Sequence, residues 1–326
     1  MATSTEDLTP ERDDLTTNGV SPQASHRPLL GPPRKLAPHI AVYLFVIIPP
    51  LAVLAAIPML WGWGLSWADL IQAVIWFTIT TLGVTIGFHR YFTHSAFKTR
   101  RWLRITLAVV GSLSVQGPVL NWVSDHRRHH AFSDREGDPH SPWLFGTSPW
   151  ALVRGFFHAH MGWILNRDRT NTRRFAPDLL ADKDMRVVSK LFGLLTAATL
   201  LLPTLIGGLV TWSWWGALTA FFWAGVVRIA FGHHIAWSTN SVCHLFGKRP
   251  FNSRDKSTNY WPLAIPTMGE AWHNYHHADP TSARHGALRG QIDISAWLIR
   301  MMEKAGWVWD VRWPTPQRIA RLTVAA

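Results

Sequence analysis

An all-α fold that crosses a lipid bilayer four times, in two helical hairpins, is predicted by three features of this sequence. Hydrophobic residues make up 48% of the 326 and charged residues only 16%, an apolar balance for a soluble protein. Four apolar runs, at about 38–60, 70–88, 187–210 and 215–237, are each long enough to span at ~1.5 Å of helical rise per residue. Twenty Trp stand against four Tyr, and Trp61, Trp63, Trp67, Trp212, Trp214 and Trp215 sit near the ends of those runs, where indole rings favour the bilayer interface.

Residues 1–36 are rich in Thr, Ser, Pro and charge without apolar periodicity, so a disordered tail is expected there, followed by one membrane domain over 37–326. No apolar core with a small-residue cleavage site lies near Met1. The first run contains Pro49 and Pro50, and the second leads straight into His89, which makes the pair a hairpin. The third and fourth runs are separated by the turn Thr211, Trp212, Ser213. The linkers at 61–69 and 211–216 hold no Lys or Arg, whereas the flanks carry Arg34, Lys35, Arg100, Arg101, Arg127 and Arg128 among others. The positive-inside rule then places both termini, and a helical cap built from 89–186 and 238–326, in the cytoplasm. The apolar stretch Leu103–Leu120 would separate the first two histidine clusters across the membrane if it crossed, so it is read as an interfacial or re-entrant helix.

A formal charge of +12 suits an anionic neighbour such as phospholipid headgroups, an acidic protein or a phosphate-bearing substrate. No nucleic-acid partner is expected, because the basic residues flank apolar spans instead of forming one stripe. The single cysteine, Cys243, excludes an internal disulfide and any thiolate-built zinc or iron–sulfur site.

Seventeen histidines are the anomaly, and eight fall in three clusters: HRYFTH at 89–94, HRRHH at 126–130 and HNYHH at 273–277. Residues three and four apart share a helix face, so His126, His129 and His130 converge, as do His273, His276 and His277. His89 and His94 are five apart, a poorer spacing for a regular helix. Eight imidazoles exceed what one tetrahedral ion takes, so two metals are the economical reading, and spacing alone leaves iron, manganese and zinc open.

The three boxes, their order and their placement relative to two hairpins resemble the membrane acyl-CoA desaturase family, which contains the stearoyl-CoA desaturases. The likeness extends to Asp125 before the second box, Asp138, Pro139 and His140 after it, GFFHAHMGWIL at 155–165, NSVCHLFG at 240–247, and Gly269 with Glu270 before the third box. It covers roughly Leu70 to Pro280. The resemblance implies a bacterial-type desaturase without a fused cytochrome domain, in the cytoplasmic membrane, with two iron ions and O2 as co-substrate. It implies a ninth ligand at His244 and, through a water, Asn240. Asp125, Asp134, Asp138 and Glu270 are near enough in sequence to orient the ligand rings. The remaining histidines, His26, His39, His140, His158, His160, His233, His234 and His285, are expected to hold no metal, with His233 and His234 packed or hydrogen-bonded.

The implied reaction inserts a cis double bond, near carbon nine, into a saturated acyl chain carried on CoA or on a lipid. Chemistry of this kind lies beyond side-chain acids and bases and needs a bound oxidant. About fifty residues follow the third box, with no haem module, dinucleotide fingerprint or cysteine cluster, so a separate electron donor, a ferredoxin or flavin-linked reductase, is expected. Phe77 and Thr81, four apart on the second span, are candidates for the closed end of an acyl tunnel. Arg154, Lys248 and Arg249 are candidates for the substrate headgroup. Two rivals share some of these features: a di-iron lipid or alkane hydroxylase on the same scaffold, and a metal-handling transporter, which would place more ionisable groups deep in the spans.

Overall fold

The computed structural model describes residues 28–60 and 64–324. Four of its helices are long and apolar enough to cross a membrane: Leu36–Pro58, Trp67–Thr93, Phe192–Thr211 and Trp214–His244. The first belongs to α1 (Leu36–Leu60), which carries Pro49, Pro50 and Pro58 without breaking. α2 (Trp67–Leu82) opens on a capping box, in which the Ser66 side chain accepts from the Asp69 backbone N–H and Asp69 accepts from that of Ser66, satisfying two end donors reciprocally. α2 then runs without interruption into a π-wound stretch, Gly83–Thr93.

α3 (Arg101–Ser112) and α4 (Val119–Phe132) follow, then α5 (Pro149–His160), α6 (Lys183–Lys190) and α7 (Phe192–Thr211). α8 is one continuous helix over Trp214–His244 and contains a second π-wound stretch, Phe221–Val227. α9 (His273–Ala278), α10 (Ile294–Lys304) and α11 (Pro316–Leu322) complete the cap. The strands β1 (Lys98–Thr99) and β2 (Val308–Trp309) pair antiparallel. The fold is the expected all-α one, with corrected boundaries. The third span begins at Phe192, because 183–190 form the separate amphipathic α6, and the fourth reaches His244, placing Asn240 and His244 on its last turns. α3, with 12 residues, is too short to cross and lies against the π-wound end of α2. Trp67, Trp212, Trp214 and Trp215 are all exposed at span ends; Trp61 and Trp63 lie outside the described residues.

The π winding answers the awkward spacing of the first box. A π turn closes i→i+5, and here the His94 N–H donates to the His89 carbonyl at 3.2 Å, while the Thr93 hydroxyl donates to the carbonyl of Phe88, also five back. Residues five apart thus come onto one side. Small residues let the neighbouring helix close in: a Cβ on Gly83 would stand 2.5 Å from the Gly111 nitrogen, and one on Gly87 2.9 Å from the Leu107 carbonyl oxygen. The buried core around this contact includes Phe88, Phe92, Phe97, Leu107, Val123 and Ile299.

Residues 1–27 of the expected tail lie outside the described residues. The rest of it is not a tail: 28–35 form a strap along the segment after α5, and Leu36 opens α1. Gly31 N–H donates to Arg169 O (2.9 Å), Asn171 N–H to Leu29 O (2.9 Å) and the Arg34 guanidinium to Ile164 O (3.0 Å). Backbone pairing of this kind needs no apolar periodicity, which is why composition concealed it.

Candidate metal centre

Four elements bring nine imidazoles together. The π-wound end of α2 supplies His89 and His94, α4 supplies His126, His129 and His130, α8 ends on His244, and α9 supplies His273, His276 and His277. They form two adjoining groups, His89, His94, His126, His130 and His276 in one and His129, His244, His273 and His277 in the other, each with its ligand nitrogens within 4.8 Å of one another. Arg127 locks the first two boxes together. Its guanidinium donates to the carbonyl of Phe92 (2.7 Å), and it makes a two-pronged ion pair with Asp178 (2.6 and 2.9 Å).

Within each group the Nε2 atoms face inward. His276 Nε2 lies 3.0 Å from that of His89 and 2.9 Å from that of His130, and His273 Nε2 lies 3.1 Å from His244 and 3.0 Å from His277. Nitrogens bound to one ion at ~2.1 Å and separated by roughly 90–110° would stand about 3.0–3.4 Å apart, so the donor sets match two metal ions. His94 Nε2, buried with no hydrogen-bond partner, points to the same conclusion.

On the far side of four rings a carboxylate accepts from Nδ1. Asp138 meets His129 at 3.0 Å, Asp134 meets His244 at 2.8 Å, Asp255 meets His277 at 2.5 Å, and Glu270 meets His89. Each such bond holds the proton on Nδ1 and leaves the Nε2 lone pair for a metal. Burial alone would raise these acids, yet the neighbouring His129 and its hydrogen bond hold Asp138 at about 2. Asp134 and Asp255, against the same burial, are likewise pulled well below the usual carboxylate range by His244 and His277. Burial, then neighbouring imidazoles, keeps His126, His130, His273 and His276 well below the ordinary histidine value, so these rings are neutral at physiological pH, as ligands must be.

Of the four acids expected near the ligands, Asp134, Asp138 and Glu270 are there and Asp125 is not. Asp125 turns to the strap, where burial raises its carboxyl against the lowering effect of Thr170 and of Arg128, Arg34 and Arg169. Asp255 was missed. It lies far from any box in sequence, and only the return of its loop onto α9 could have shown its role.

A cavity of about 960 Å³ runs past the centre, within the range of small-molecule sites. Its wall includes His89, His126, His273 and Trp122. On one side it is polar, with Arg34, Lys35, Asn121, Arg128, Asn166 and Arg169; on the other it passes Phe45, Val46, Val84, Thr196 and Gly232 between the spans. Asn240 is half-buried on this wall, and Thr81 lines it as well. Phe77 is not on the wall; it packs on Phe231 with ring centroids 5.2 Å apart, beside Gly232. Arg154, Lys248 and Arg249 are also off the wall. Arg154 lies over the Phe145 ring at 4.1 Å, and Arg249 is engaged with the carbonyl oxygens of Asp255 and Ser257.

The other described histidines have ordinary partners or none. His233 donates to the Ser114 carbonyl (3.1 Å), His160 sits between His234 (2.9 Å) and Ser241 (3.0 Å), and His158 approaches the Pro139 carbonyl. His140 stacks on His129 with ring centroids 4.3 Å apart. His285 is buried with neither ring nitrogen hydrogen-bonded, beside His276 and Glu270. His39 packs on Tyr43, and His26 lies outside the described residues.

Residues 65–289 match the family model for fatty acid desaturases. The chain is 40% identical over 278 residues to a hex-5-enoyl-[acyl-carrier protein] acetylenase of Moorena producens, a match covering 85% of this chain and 87% of the relative. It is 34% identical over 250 residues to the sn-1 stearoyl-lipid 9-desaturase of Anabaena variabilis (76% and 85% covered) and 34% identical over 276 residues to the icosanoyl-CoA 5-desaturase of Limnanthes douglasii (83% and 72%). With its four apolar helices and histidine-lined interior, this chain belongs to the fatty acid desaturase family.

Proposed function

We propose that this chain is an oxygen-dependent desaturase that inserts a cis double bond, near carbon nine, into a saturated acyl chain, with two iron ions held by the nine histidines. The observation that carries the reading is that one cavity, polar on one side and apolar on the other, is also lined by His89, His126 and His273 of the two histidine groups. His89, His94, His126, His130 and His276 would hold one iron; His129, His244, His273 and His277 the other, with Asn240 reaching it through a water. Bound iron supplies the dioxygen chemistry needed to remove hydrogen from an unactivated methylene pair. The chain's own residues do the rest: Asp138, Asp134, Asp255 and Glu270 keep the ligand rings in one tautomer, and the apolar wall excludes water beside the acyl carbons.

The active site and both termini face the cytoplasm in this reading, on the lysine and arginine distribution. An anionic carrier, CoA or a phospholipid, would sit at the polar side of the cavity, where Arg34, Lys35, Arg128 and Arg169 replace Arg154, Lys248 and Arg249 as the headgroup contacts. The likeness to the acetylenase makes an acyl-carrier-protein thioester the third carrier to test. Electrons come from a separate protein.

Expression in a host lacking its own oxygen-dependent desaturase tests the reaction. A new cis-alkene in the fatty acid profile is the expected result; an alcohol as the sole product would shift the reading to a hydroxylase, and an unchanged profile would refute both.

Thr81 on the wall and Phe77 behind Gly232 would limit chain length. Thr81→Ile, which adds bulk inside the cavity, is expected to shift product towards shorter chains, and Thr81→Ala towards longer ones. Gas chromatography reads both; identical distributions in the two variants would remove these residues from the tunnel end.

A further inference from the structure

The two metal groups differ in what lies behind the carboxylates that hold their rings. In the first, Glu270 behind His89 is enclosed by Arg90, which also pairs with Asp293, and all these side chains are buried. In the second, two ligands lead to a single surface loop. The Asp255 side chain reaches His277 at 2.5 Å, and the next residue, Lys256, donates its backbone N–H to Asp134 at 2.8 Å, the acid that holds His244. A third link runs from the Lys256 ammonium, 3.6 Å above the Trp143 ring, through the Trp143 indole N–H to the His244 carbonyl at 2.9 Å. Exposed loop and ligand ring are thus separated by one hydrogen bond.

The outer side of this loop is basic. Lys248, Arg249, Arg254 and Lys256 are exposed, and the one acid among residues 248–257, Asp255, is turned inward. Lys248 and Asn259 exchange backbone hydrogen bonds (3.0 and 2.7 Å), and the Arg249 guanidinium holds the carbonyls of Asp255 and Ser257, each at 2.5 Å, so the loop is braced from within. It lies off the substrate cavity. A rigid positive platform with direct connections to metal ligands suits a small acidic redox protein, since complementary charge steers such encounters and fixes their orientation.

We propose that the loop Lys248–Ser257 is the docking surface for an acidic one-electron carrier protein, and that electrons enter the centre through the His129, His244, His273 and His277 group. The inference rests on the desaturase reading. Two reduced carriers would each lose one electron per turnover, and the sum balances as –CH2–CH2– + O2 + 2 e⁻ + 2 H⁺ → –CH=CH– + 2 H2O.

The test uses the full chain, loaded with iron in lipid nanodiscs, and a plant-type [2Fe–2S] ferredoxin as the acidic probe. K248E/R254E is expected to weaken ferredoxin binding tenfold or more at low salt and to flatten its salt dependence, with iron content and unfolding temperature unchanged. K190E/K304E, an equal charge change elsewhere on exposed positions, is expected to bind as the wild type does. Wild-type affinity in K248E/R254E, or equal weakening in both variants, would overturn the proposal. If the double reversal fails to fold, K248Q/R254Q takes its place, with a smaller loss expected and unchanged affinity again decisive. Alkene formation by the wild type is scored separately, so its absence speaks against the desaturase reading while the affinity comparison alone decides the surface.

Discussion

Replacing His276 by alanine is expected to remove metal and double-bond formation together. Its Nε2 lies within 3.0 Å of two other inward-facing nitrogens, those of His89 and His130, so it closes the first group. Losing an outer partner of a ligand commonly lowers metal affinity 10–100-fold, and losing the ligand itself should do more. Iron analysis of the purified variant is expected to show about one ion per chain or fewer, and alkene yield to fall at least ~100-fold, in keeping with that affinity range. His160→Ala, at a histidine pair outside the centre, is expected to retain the full metal content. Wild-type iron and activity in the His276 variant would sink the assignment.

Arg90→Met should have the second large effect, through stability. Arg90 is fully buried and neutralises two acids, Glu270 at 3.1 Å and Asp293 at 3.0 Å, while donating to the Ala283 carbonyl. Methionine preserves much of the volume but leaves two carboxylates buried without a counter-charge. Breaking a buried ion pair in this way costs about 3–5 kcal/mol. Asp293 also caps α10 and accepts the N–H groups of His285 and Gly286, and Glu270 orients His89, so the damage reaches both the cap and the metal. A clear drop in unfolding temperature in detergent, with reduced iron occupancy, is the expected outcome. An unfolding temperature equal to the wild type's would show that the network adds nothing.

The spans and the histidine boxes were legible because they are local: hydropathy and i, i+3, i+4 spacing need no partner. Three of four orienting acids were found by nearness in sequence, and the same rule misplaced Asp125, whose position on α4 turns it towards Arg34 and Arg128. Asp255 escaped because it sits beside no box, whereas Asp134 and Glu270 each neighbour one although the rings they hold, His244 and His89, are 110 and 181 residues away. His244 and Asn240 came from family likeness, and their location on α8 became clear only when the span proved to extend seven residues beyond its expected end. The strap at 28–35 and the polar side of the cavity depend on backbone pairing between distant segments, which side-chain patterns do not encode.

The π winding at Gly83–Thr93 bears on how such a chain can vary. An α-helix advances about 100° per residue. A π turn takes in about one residue more than an α turn, so a one-residue deletion that left the winding as it is would rotate everything on one side of this stretch relative to the other by roughly one residue's turn of the helix. Either the His89 and His94 pair would leave the other seven imidazoles, or Gly83 and Gly87 would leave the face that admits α3. The length of this segment and its winding are thus constrained together: substitutions at its outer positions can accumulate, while an insertion or deletion has to be absorbed by a change of winding if the metal and the helix contact are to be satisfied in one register.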